Sequence, residues 1–92
     1  MSYVAVREFT PMIGKDAVLE DRILRTSDVI EKYGAVSRVG KVIGGHRAGD
    51  YELYNWYETV AAGASAMDGY SDDSDLKKIF EERALTPVAE MR

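Results

Sequence analysis

Asn55 and Tyr57 place a carboxamide and a phenol two residues apart, with Tyr51 and Leu53 before them at the same parity. Few donors among apolar neighbours is what an oxygen-bearing aromatic ligand requires. Arg7 and Arg38 join them as candidates. Each falls inside a run that reads as a strand, where a charge is costly unless it is paired or wet. If Arg7 shares a face with Tyr3 and Phe9, it projects toward any space between two sheets. A guanidinium there holds a carboxylate or enolate oxygen by a charge-assisted bond. The plainer alternatives are an ion pair between copies for Arg7, to a carboxylate such as Glu8 or Glu52, and strand or interface packing for Asn55 and Tyr57.

Other chemistries find little footing. The single histidine, His46, lies in the glycine-rich "GGHRAG" with no partner at ligand spacing, and reads as an exposed loop side chain. Without cysteine, thiolate chemistry and disulfides are excluded, and a zinc site of the usual kind has too few ligands. "SDDSD" (71–75) lacks the mid-loop glycine and terminal glutamate of a calcium loop. Ser65 in "GASAM" does not fit a nucleophile elbow, and "GGHRAG" has the wrong spacing for a phosphate-binding loop. Neither metal nor cofactor is expected.

The elements that must position these residues read as follows. "YVAVREFT" (3–10) alternates as a strand. Asp16 is placed to cap a helix in which Leu19, Ile23, Thr26, Ile30 and Tyr33 form one apolar stripe. Asp21 with Arg25 and Asp28 with Lys32 stand at i,i+4 on its wet side. Gly34 stops it in the left-handed region. "AVSRVGKVI" (35–43) is a second strand, and "GGHRAGD" turns the chain into a third, "DYELYNWYET" (50–59). Thr59 caps a helix of small residues, in which Gly63 suggests a close approach of helix to sheet. "SDDSD" breaks that helix and caps another carrying Leu76, Ile79, Phe80 and Arg83, which Thr86-Pro87 ends. "VAEMR" closes the chain as a short strand, suited to an edge.

The order is β-α-β-β-α-β with a split second helix, the ferredoxin-like α+β pattern with an antiparallel sheet. Its 92 residues, 46% hydrophobic and 30% charged, amount to one soluble domain over 1–92. No apolar run approaches the roughly 20 residues of a membrane span. The N-terminus "MSYVAVREF" reads as strand rather than signal peptide, so a cytoplasmic location is expected. A net charge of −4 argues against a nucleic-acid backbone as partner. The acidic Asp50 and Glu52 opening the third strand speak against base stacking on its rings.

Strand three carries bulk at both parities. Tyr51, Leu53 and Tyr57 point one way, while Tyr54 and Trp56 point the other and are most simply core against the helices. Two helices cover one face of the sheet, and an aromatic side chain forfeits much by staying wet. A two-fold dimer with sheets face to face is therefore expected, with ligand space either between sheet and helices or between the two sheets.

The element order, Gly14-Lys15 opening the first helix and "YNWYET" leading into an alanine-rich helix resemble the dimeric α+β barrel superfamily. Within it, the antibiotic-biosynthesis-monooxygenase-like and NIPSNAP-like domains are the best match. The resemblance implies a homodimeric barrel. It also implies a small-molecule site, with cofactor-free oxygenation of an aromatic or polyketide-like compound as one activity and a non-catalytic dimeric binding or structural domain as the alternative. Where the monooxygenase-like group often reads Tyr-Glu-x-Trp-Glu-Ser, this chain has Tyr54-Asn55-Trp56-Tyr57-Glu58-Thr59. Where many carry a histidine ahead of a serine in the second helix, it has Asp68 ahead of Ser71, which argues against haem ligation there.

Overall fold

The computed structural model describes residues 3–91, so Met1, Ser2 and the Arg92 of the expected last strand fall outside it. The elements are β1 (Tyr3–Pro11), α1 (Asp16–Glu31), β2 (Val36–Lys41), β3 (Tyr51–Tyr57), α2 (Val60–Asp72), α3 (Ser74–Leu85) and β4 (Ala89–Met91). The four strands form one antiparallel sheet in the order β2-β3-β1-β4. This is the ferredoxin-like α+β arrangement. β4 is indeed an edge, pairing with the last three residues of β1.

Local chemistry explains most boundaries. Thr59 Oγ1 accepts the Ala62 N–H and opens α2. Asp73 breaks the second helix from the third and caps the latter, accepting the Leu76 N–H at 3.0 Å. Gly34, at φ +91°, follows α1 in the left-handed region that glycine enters without a Cβ penalty. The α1 start differs from expectation. Lys15 occupies the cap position without a side-chain bond, and Asp16 is the first helical residue, where its charge still favours the positive helix end. Of the two i,i+4 pairs, Arg25 meets Asp21 at 2.9 Å. Lys32 instead turns to α3, reaching Asp73 at 3.0 Å and Asp75 at 3.2 Å.

Register settles the faces of the sheet. Cross-strand neighbours share a side, so Ala5, Arg7 and Phe9 lie with Asn55, Leu53 and Tyr51, and Ser37 and Val39 lie with Asn55 and Leu53. That side meets the helices. Tyr51, Leu53, Asn55 and Tyr57 are all buried, and Leu53 is 1% exposed in a core with Leu19, Ile23, Ile30 and Ala66. Tyr54 and Trp56 therefore do not pack against the helices, contrary to the sequence expectation. They point to the uncovered face, stacked on each other with centroids 5.6 Å apart. Bulk at both parities of β3 hid the choice; the polar Asn55 stands on the buried side because a partner awaits it there.

The close helix-to-sheet approach expected at Gly63 is not found there; the tight approach of α2 is at Gly69, against Tyr33 just past α1. A Cβ at Gly63 would sit 3.6 Å from Tyr57, an ordinary contact, whereas one at Gly69 would come under 3.0 Å from the Tyr33 ring. Tyr33 packs edge-on to Tyr70 and donates its hydroxyl to Asp73. That bond comes first among the causes that hold the Asp73 carboxyl far below the usual carboxylate range, with the Leu76 N–H and Lys32 following.

Candidate ligand-binding cleft

α1 lies over β2 and β3, while α2 and α3 stand aside from β1, and the gap between them is a cleft of about 800 Å³. Such a volume is in the range of sites that take drug-sized molecules. Its floor is the buried side of β1 and β3: Ala5, Arg7, Phe9, Leu53, Asn55 and Tyr57. Leu19, Ile23 and Ile30 of α1 form one wall, and Met67, Ile79 and Phe80 help form the other. The walls are mostly apolar, so the few polar groups stand out.

Asn55 is only 3% exposed. Its Oδ1 accepts from Ser37 Oγ at 2.8 Å, and Ser37 in turn accepts from Ser27 Oγ at 2.7 Å. This chain of hydroxyls locks the carboxamide from the sheet side. The amide NH₂ makes no bond to protein among the described residues and stays available to the cleft. Tyr57 and Tyr70 join hydroxyl to hydroxyl at 2.8 Å. One proton closes that bond, leaving the other phenol's proton for a third acceptor. Burial first, then the bond to Tyr57, pushes the Tyr70 phenol up, so it remains protonated at neutral pH.

Three of the four residues picked from sequence thus share one site: Arg7, Asn55 and Tyr57 all line the cleft. The space they face lies between sheet and helices, not between two sheets. Arg38 is elsewhere. It is opposite Tyr54 in the register, on the uncovered face, and its Nη1 donates to the Ser37 carbonyl. Glu8 and Glu52, the carboxylates considered for Arg7, are also on that uncovered face; Glu8 is held by Arg47 at 2.7 Å. Arg47 also reaches Asp50 at 3.4 Å, pinning the β2–β3 loop and leaving the neighbouring His46 exposed.

Sequence reasoning passed over Arg22 and Tyr70. Arg22 was legible: it stands three residues after Leu19 and four before Thr26, an arginine inside an apolar stripe. Tyr70 carried no such signal. Among the described residues no group of three or more His, Asp or Glu is placed to hold a metal ion, and no helix is long and apolar enough to cross a membrane.

Among solved structures the chain is similar to an uncharacterized NIPSNAP-like domain protein from Burkholderia xenovorans. The TM-score is 0.68 at 12% sequence identity, covering 99% of this chain and 79% of that one. At that identity the likeness speaks for the fold, and it agrees with the NIPSNAP-like resemblance read from the sequence. No protein-family model matches the chain, and no curated protein matches it.

Proposed function

We propose that this protein binds a small, largely apolar molecule bearing oxygen acceptors, in the cleft between its sheet and helices, and works as a homodimer. One observation carries the binding reading. The Asn55 amide, one phenol proton of the Tyr57–Tyr70 pair and the guanidinium of Arg7 belong to residues lining one apolar cleft and have no protein acceptors of their own among the described residues. Placed donors with apolar walls suit an aromatic or polyketide-like ligand. The same donors would stabilise its phenolate or enolate, which favours the cofactor-free oxygenase reading as the second one. The described lining holds no Asp, Glu or His, so such a substrate would have to ionise without a carboxylate or imidazole base.

The uncovered face supports the homodimer. Val4, Val6 and Val36 are 52%, 46% and 49% exposed there, beside the stacked Tyr54 and Trp56. A patch of this kind on a small domain is an association surface.

A thermal-shift series with anthrone and 1,4-naphthohydroquinone tests the site. Either compound should raise the melting temperature, and Ala84→Trp, which fills the cleft from an exposed lining position, should remove the shift. No stabilisation by either compound, or equal stabilisation of the Trp variant, would contradict the proposal. Oxygen uptake with anthrone, measured on an electrode, tests the second reading.

A further inference from the structure

The ionisable groups around the cleft are lopsided. In a chain of net charge −4, its charged lining residues are Arg7, Arg22 and Arg83, with no carboxylate among the described ones. None of the three has an ion pair among the described residues, although Arg22 lies near enough to Glu82, itself held by Arg25, to help lower that carboxyl. Arg22 is the decisive one. It is 9% exposed, and buried guanidinium groups normally find an anion. Nη1 donates to the Thr86 carbonyl at 2.7 Å, which orients the group, while Nε is shielded from water and has no acceptor at all. Nη2 makes no bond to protein among the described residues and is the donor left to the cleft. A charge-assisted bond from a guanidinium N–H is among the strongest a carboxylate can accept.

We infer that the ligand of this cleft is a carboxylate on an apolar body, its carboxylate accepting from Arg22 Nη2, with Arg7 and Arg83 supplying the surrounding positive field. This rests on the cleft being a binding site, and names the class of molecule it takes. The apolar walls hold the body. The Asn55 amide and the free phenol proton remain for a second oxygen on it. Arg7 and Arg83, both more exposed than Arg22, attract the anion and orient its entry. A neutral compound of the same shape would give the cleft-facing N–H of Arg22 no charged acceptor, and that is the source of discrimination.

Calorimetric titration of the full chain with 2-naphthoate, 2-naphthamide and 2-naphthyl phosphate tests this. The acid should bind at least about tenfold tighter than the amide, the scale expected of a charge-assisted pair. Arg22→Met should bring the two affinities together by weakening the acid alone. Should that variant fail to fold by circular dichroism, Arg7→Met and Arg83→Met take its place, and each should narrow the ratio. Equal affinity for acid and amide, or a ratio unchanged in the variants, overturns the inference. So does the phosphate binding more tightly than the acid. If anthrone still gives its cleft-dependent stabilisation while the naphthoate does not bind, the inference fails and the site stands. If none of the compounds binds, both fail.

Discussion

The two glycines of α2 invite the same substitution with opposite results. Gly63→Ala and Gly69→Ala each remove the flexibility of a helical glycine, a gain of about 1 kcal/mol in a helix interior. At position 63 the new methyl meets Tyr57 at 3.6 Å, in ordinary contact, so the gain is kept. At position 69 it would lie 3.2 Å from Tyr33 Cγ and under 3.0 Å from Cδ1 and Cε1. The ring has little freedom to retreat, since its hydroxyl is bonded to Asp73 and Tyr70 stands edge-on against it. Overpacking of this kind costs about 1–3 kcal/mol. The propensity gain is common to both variants, so their difference is the packing cost alone. For a domain of this size each kcal/mol moves the melting temperature by about 4–8 °C. Thermal and urea unfolding followed by circular dichroism should therefore rank Gly63→Ala above wild type and Gly69→Ala clearly below Gly63→Ala. Equal stability of the two variants would refute the packing of α2 against Tyr33.

Other outcomes follow from the same contacts. Asn55→Ala should destabilise by about 1–3 kcal/mol in urea titrations, because the buried Ser37 hydroxyl loses its acceptor; a neutral effect would mean the hydroxyl chain is not formed. Asp73 has its folded pKa lowered from an ordinary 3.8, so its contribution is present at neutral pH and is lost as pH falls below about 4. Asp73→Asn should be less stable at pH 7 and lose less on acidification, as unfolding at both pH values will report. Val6→Glu puts a charge in the middle of the uncovered face and should give a monomer by light scattering, while the proposed wild-type dimer should give twice the chain mass. Trp56, the single tryptophan, also lies on that face, so its emission should shift to the red on dilution through the dissociation range. A concentration-independent spectrum would count against the dimer.

The fold was largely legible because its signals were local and redundant. The α1 stripe, the Thr59 and Asp73 caps, Gly34 and the proline after α3 each set a boundary by backbone chemistry that needs no tertiary information. Faces were harder. In β3 both parities carry aromatics, and only the pairing of Leu53 with Arg7 and Val39, under α1, decides which side is buried. A register is a non-local fact. For the same reason Arg38 looked equivalent to Arg7 in sequence, while one residue of parity sends it to the opposite face. Lys32 preferred Asp73 and Asp75 to Asp28 because a neighbouring helix brought two carboxylates within reach. Arg22 could have been found, since a charge inside an apolar stripe is a local anomaly. The Tyr57–Tyr70 bond joins β3 to α2 and leaves no trace in spacing.

The most direct test is an amide chemical-shift map of the ¹⁵N-labelled protein titrated with anthrone. The account predicts that perturbations concentrate on Ala5, Arg7, Asn55, Tyr57 and Tyr70, while Val4, Val6 and Val36 on the far side of the sheet stay nearly unmoved. Shifts centred on those valines, or none at saturating compound, would contradict it.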